Sequence, residues 1–173
     1  VISTETNCGG EHARLVLAVW VVRVQAIVAQ LGERHDGEGG VWQQLSQSQA
    51  YKAWSGYAFE NICLTHLAQI KKAMGISGVF TQASAFYKKN TPEMSGAQID
   101  LVLDRKDHIV NLFEMKFYNE PYTPNKAFAD SLRAKRSVFK ASTGVRKQLS
   151  WVLLTAYGMQ PNQHSLGLVD INL

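Results

Sequence analysis

The pattern of apolar and polar positions is sharpest between Gly96 and Phe117, "GAQIDLVLDRKDHIVNLFEMKF". Two runs rich in β-favouring side chains flank a polar turn, which predicts a β-hairpin. Side chains alternate faces along a strand. In the second run Val110, Leu112, Glu114 and Lys116 therefore share one face, and Ile109, Phe113, Met115 and Phe117 the other. In the first run Ile99, Leu101 and Leu103 oppose Gln98, Asp100 and Val102. A turn centred on Asp107 sets Leu101 against Phe113 and Ile99 against Met115, which makes one apolar face. The reverse face sets Asp100 against Glu114 and Gln98 against Lys116. A slip of one residue would bury the charges, so the pattern pins the face.

Around the hairpin the period changes. From about Gln49 to Met74, Phe59, Ile62, Cys63, Leu67, Ile70 and Met74 recur at three and four, which predicts an amphipathic helix stopped by Gly75. Glu60 lies at the edge of its apolar stripe, where a surface acid with a covered stem is the plainer reading. Residues 78–87 read as a strand, followed by a polar loop holding Lys88, Lys89 and Pro92. After Pro121, Pro124 is placed to start a second helix that runs to about Ser142 and stops at Gly144. Lys135 interrupts its stripe of Phe128, Leu132 and Phe139; such a lysine either buries its own stem or reaches over the sheet end toward the carboxylates. Residues 148–155, nearly all apolar and read as central, and 166–173 give two more strands. The expected class is α/β (α+β), in the order α-β-β-β-α-β-β.

Residues 1–40 read differently. Leu15 to Val22 is an apolar run of eight, too short for a membrane span, which needs about 20. Acidic Glu5 and Glu11 sit where a secretion signal would be basic. The run reads as a strand or apolar helix, and Gly32 to Gly40 as a flexible linker. The expected organisation is an N-terminal appendage over 1–40 and a domain over 41–173, with no membrane association.

Composition then bounds the class. A chain of 173 residues, 46% hydrophobic and 18% charged, is long enough to bury a real core. Cys8 and Cys63 lack CxxC spacing, and Cys63 and His66, a turn apart, find no further ligand nearby. A disulfide framework or zinc site is not expected, and a reducing cytoplasm is. The net charge of +4 fits a polyanionic partner without requiring one. Arg133, Arg136, Lys140, Arg146 and Lys147 form a basic stretch suited to phosphate contacts, or a plain solvated surface. No glycine-rich loop is followed by Lys-Ser/Thr, so no nucleotide-binding P-loop is present.

The chemistry concentrates in the hairpin. Like-charged carboxylates set opposite each other repel, and a hairpin would not adopt this for stability. A hard divalent cation removes the conflict, since Mg²⁺ takes carboxylate oxygens and keeps several waters. The alternative is a wet sheet face with incidental charges.

Those residues and the element order resemble the PD-(D/E)xK nuclease superfamily. The matching positions are Glu60 on the first helix, Asp100 on one strand, and Glu114 and Lys116 in "EMK" on the next. The phrases "WSGYAFENICLTHLAQIKKAMGI", "GAQIDLVLDRKDHIVNLFEMKF" and "VLLTAYG" are similar to one subgroup, the nuclease-like C-terminal domain of prokaryotic AAA-type ATPases, over about Trp42 to Leu173. The resemblance implies a restriction-endonuclease-like core with a mixed sheet of about five strands. It also implies a metal-dependent nuclease, an endonuclease acting on DNA, with Mg²⁺ as cofactor and Mn²⁺ as substitute. Asp100 and Glu114 would hold the metal with the Met115 carbonyl as a further ligand, Glu60 would bind a second metal or a metal-bound water, and Lys116 would position the attacking water. Gln98 and Lys135 are auxiliary candidates. The chain lacks the ATPase half, which would act in trans or be lost, and a homodimer is left open. The competing expectation is a non-catalytic DNA-binding or interaction domain of such an ATPase.

Overall fold

The computed structural model describes residues 48–92 and 94–173. The apolar run, linker and appendage expected over 1–40 lie outside the described residues. Helix α1 spans Gln49–Thr65, opened by Ser48, whose side chain accepts the Tyr51 N–H at 3.2 Å. Such a cap satisfies a donor that the first turn would leave without a partner. The helix predicted as one piece to Met74 breaks at His66, and α2 spans Leu67–Ala73. Thr65 Oγ1 and His66 Nδ1 both hydrogen-bond the Ile62 carbonyl, so side chains compete with the backbone ladder at that turn. Gly75, at φ 70, then ends the segment as expected.

Strands β1 (Thr81–Lys88), β2 (Ala97–Arg105) and β3 (Ile109–Lys116) form an antiparallel meander. Helix α3, Lys126–Thr143, crosses to β4 (Gln148–Thr155), which lies parallel to β3, and β5 (Ile171–Asn172) lies parallel to β4. The result is a mixed α/β architecture with a five-stranded sheet in the order β1-β2-β3-β4-β5. The central strand is β3, with the apolar β4 beside it. Asn125, not Pro124, caps α3 by accepting the Phe128 N–H at 2.9 Å. The strand expected over 166–173 shrinks to Ile171–Asn172. Asn162 Oδ1 accepts the His164 and Ser165 N–H groups, and Gly167 takes φ 70, which turns the chain there.

Both faces of the sheet are covered. On one, Phe59, Cys63 and Ile70 of α1 and α2 pack on Leu101, Leu103, Phe113, Met115, Val152 and Leu154. On the other, Phe128, Ala129, Leu132 and Phe139 of α3 pack on Ile99, Val102, Val110, Leu112, Trp151 and Leu153. Burying one such large apolar side chain contributes roughly 1.5–3 kcal/mol, so two clamped faces hold the sheet rigidly between helices.

The expected register holds where the ladder is formed, from Leu101↔Phe113 to Asp104↔Val110. It does not extend to Ile99 and Met115. Opposite β1, the pairing moves from Ser84↔Val102 to Phe86↔Ile99, so two steps on β1 match three on β2. The extra residue of this β-bulge lies between Ile99 and Val102. Ile99 consequently joins Val102 under α3 rather than Leu101 and Met115 under α1. Strict alternation cannot register such an insertion.

Candidate functional site

The bulge presents Asp100. Its Oδ2 accepts the Met115 N–H at 2.9 Å, so a side chain occupies a sheet donor where the β2–β3 ladder has ended. Burial, and next the charge of Glu114, push the Asp100 carboxyl above its ordinary range, although the Met115 N–H and Lys135 and Lys116 oppose the shift. Glu60 projects from α1 toward the same place. Its carboxyl is also raised, first by burial and then by Asp100, with Glu114 adding and Lys116 and Lys135 subtracting.

Glu114 is 4% exposed, and two elements bring ammonium groups to it. Lys116, on its own strand, places Nζ 2.9 Å from Oε1, and Lys135, from α3, places Nζ 2.6 Å from Oε2. A carboxylate this buried is tolerable only when its oxygens are held. Burial works against the Lys116 charge, but the Glu114 carboxylate and its hydrogen bond, helped by Asp100, outweigh it and hold the ammonium above its ordinary value. Lys135 thus does reach over the sheet toward the acids. Glu60, Asp100 and Glu114 set against Lys116 and Lys135 leave one negative charge in excess when all are ionised.

Gln98 is exposed and stands opposite Tyr87 on β1. The basic stretch does not gather at the acids. Arg133 pairs with Asp130 at 2.9 Å, Arg136 lies 3.8 Å from Asp170, and Lys147 pairs with Asp104 and donates to the Arg105 carbonyl at 2.8 Å. Lys147 directly precedes β4, whose first residue stands beside Ile109 while its last stands beside Lys116. Eight strand steps of about 3.3 Å separate Lys147 from Thr155, which puts Lys147 roughly 26 Å from Lys116 along the sheet. Lys140 and Arg146 are exposed, and Arg146 directly precedes Lys147 in the chain.

Three neighbours escaped the sequence reading. Thr155, 2% exposed, pairs with Lys116 across β3–β4, and its hydroxyl has no hydrogen-bond partner among the described residues. Tyr118 and Tyr122 stack beside Lys116 with ring centroids 4.9 Å apart. Burial, with Tyr118 next, pushes the Tyr122 hydroxyl up to about 12. The spacing in "KFYNEPY" just after the "EMK" lysine is the sequence signal for the two tyrosines; a threonine closing an apolar strand carries none.

The donors are carboxylate oxygens, the chemistry a hard cation takes, with one negative charge in excess when all are ionised, while Lys116 and Lys135 hold the two Glu114 oxygens. Asp100 and Glu114 are the pair on which a cation would rest. Among the described residues no three His, Cys, Asp or Glu side chains are grouped closely enough to hold one metal ion. Among the same residues no helix is long and apolar enough to cross a membrane. Comparison with protein-family models, with curated proteins and with solved structures finds no match to this chain.

Proposed function

We propose that the protein is a metal-dependent nuclease with a restriction-endonuclease-like core, hydrolysing phosphodiester bonds of DNA around Glu60, Asp100, Glu114 and Lys116. The observation that carries the reading is the buried Glu114, bracketed by Lys116 and Lys135 beside the bulge that presents Asp100. A structural ion pair needs one cation for one acid. Here Asp100 and Glu60 are added, each held against its own ionisation. Perturbed groups gathered at one place beside such an ion pair are one mark of a functional site.

Asp100 and Glu114 would hold Mg²⁺, or Mn²⁺ in its place, with the Met115 carbonyl as a further donor and Glu60 on a metal-bound water. The cation, when bound, supplies a Lewis acid for water and for the phosphate. The chain's own groups do the rest. Lys116 keeps its proton through the neutral range and so cannot act as a base; it donates hydrogen bonds to the attacking water and to a phosphoryl oxygen. A fixed ammonium aimed at developing charge accelerates reaction because it meets more charge in the transition state than in the substrate. Glu60, half-buried and raised, is placed to accept the proton that the water gives up. Lys135 holds Glu114 in its orientation through the contact to Oε2.

Single-turnover cleavage of plasmid and branched DNA in Mg²⁺ and in Mn²⁺ tests this. Lys116→Ala should keep the fold and DNA affinity but lose a hundredfold or more in rate, about 3 kcal/mol of barrier stabilisation. Lys116→Arg should fail as well, since a planar guanidinium does not replace a compact ammonium. A wild type inert on every substrate that nevertheless binds DNA would replace this reading with the non-catalytic DNA-binding domain.

A further inference from the structure

Beside the acids lies a cleft of about 360 Å³, lined by Tyr51, Lys52 and Ser55 of α1 and by Phe117, Tyr118 and Asn119 of the segment leaving β3. It starts one residue past Lys116, and its α1 wall is the same helix that carries Glu60. Its lining is unusual for a protein that would grip only a duplex backbone. Tyr51 and Tyr118 bring aromatic rings from opposite walls, and Phe117 leans on Phe59 at 5.9 Å. Tyr118 is 45% exposed and is backed by Tyr122, so its ring is braced in place. Trp54, 46% exposed, continues the aromatic surface from Tyr51 at 5.9 Å. The cation in the lining is Lys52, exposed on α1.

Aromatic rings with an ammonium at the rim are the chemistry of single-stranded nucleic-acid binding. Every base has a π-face to stack, and the lysine takes a phosphate. In a duplex the base faces are hidden by stacking, so such a cleft discriminates by strandedness. The volume lies at the small end of the range for ligand sites, about 300–1,000 Å³, and suits one nucleotide rather than several. Building on the nuclease reading above, we propose that this cleft takes one unpaired nucleobase of single-stranded DNA, stacked on Tyr118, so that the substrate is a strand that is single at or next to the point of attack.

The test uses the full chain and a fluorescent twelve-nucleotide oligothymidine, with a blunt duplex and an oligonucleotide of abasic spacers as comparison probes. Binding is read by anisotropy in chelator, so that no cleavage occurs. Wild type should prefer the oligothymidine to both other probes. Tyr118→Ala should lose at least tenfold on oligothymidine and change less than twofold on duplex, while Tyr118→Trp, which keeps a stacking face, should retain single-strand binding. Lys52→Ala should weaken the oligothymidine and the abasic probe alike. The proposal is overturned if Tyr118→Ala binds oligothymidine as wild type does, if it weakens all probes equally, or if the abasic probe binds as tightly as the oligothymidine. Cleavage with Mg²⁺ separates the two readings. Tyr118-dependent single-strand binding without any cleavage keeps the cleft and removes the nuclease. Cleavage of duplex with no Tyr118 effect on binding does the reverse.

Discussion

Replacing Asp100 with Asn separates what its charge does to the fold from what its shape does. The amide oxygen can still accept the Met115 N–H, but the charge next to Glu114 is gone. Burial, then Glu114, raises this carboxyl above its ordinary value of 3.8. A carboxyl that binds its proton more tightly when folded favours the folded state while protonated; that contribution is complete below the unfolded value and is lost as pH rises through the folded one. Wherever the carboxyl is ionised, the wild type lacks it. Asp100→Asn should therefore melt higher than wild type at a pH where the carboxyl is ionised. The gap should close as pH falls toward the ordinary carboxyl range. Thermal melts across pH at constant salt measure this, and a gap that does not move with pH would assign the effect to packing. At this scale the adjacency of Glu114 and Lys116 was legible, because period-two alternation places both on one face. The reach of Lys135 was one of two open readings, since a lysine on an apolar stripe looks the same whether it meets water or an acid. Thr155 was not legible at all, because its environment comes from a neighbouring strand.

At the scale of elements, the strands and helix α3 followed from hydrophobic periodicity. The pattern pinned the face of the β2–β3 hairpin but left its register open, and the structure adopts the one that a turn centred on Asp107 gives. The bulge did not follow from the pattern. An inserted residue leaves both halves of β2 alternating correctly, so only the partner strand reveals that Ile99 has changed face. The break at His66 was hidden for a related reason: Phe59, Cys63 and Ile70 keep a helical spacing through it. The cap of α3 offers a direct test of local control. Asn125 Oδ1 is the side-chain acceptor for the first turn, where Phe128 packs on Tyr122 at 5.1 Å. Asn125→Ala should lower stability by about 1 kcal/mol, and Asn125→Asp, which keeps the acceptor, should not. Urea denaturation with an unchanged slope would show that the loss is local to the cap rather than a change of the unfolded state.

Over the whole molecule, charge is distributed in two places. The acids and their lysines occupy one end of the sheet, whereas Lys147, with Arg146 before it, lies toward the hairpin end. For the proposed DNA partner, salt is the readout of phosphate contacts. Each contact contributes about 0.9 to the slope of log affinity against log salt on duplex DNA. Lys140→Ala combined with Arg146→Ala should lower that slope by nearly 2, measured by anisotropy over a salt series, and an unchanged slope would place the DNA face elsewhere. Arg136 and Lys147 are held by Asp170 and Asp104, so their loss should register in the melting temperature instead.

The crossover through α3 also sets an order of events in time. The β1–β2–β3 meander is built from neighbours in sequence, and hairpins of this kind close in microseconds. The parallel pairing of β3 with β4 must wait for a long loop to close and for α3 to dock, which is the slow kind of contact. Lys135 travels on that helix. Glu114 therefore begins as a carboxylate at the end of an open strand, with only Lys116 at hand, and is sealed under its second ammonium when the crossover shuts. The contact between Glu114 and Lys135 is among those that wait for the crossover, and a nascent chain halted before α3 would lack it.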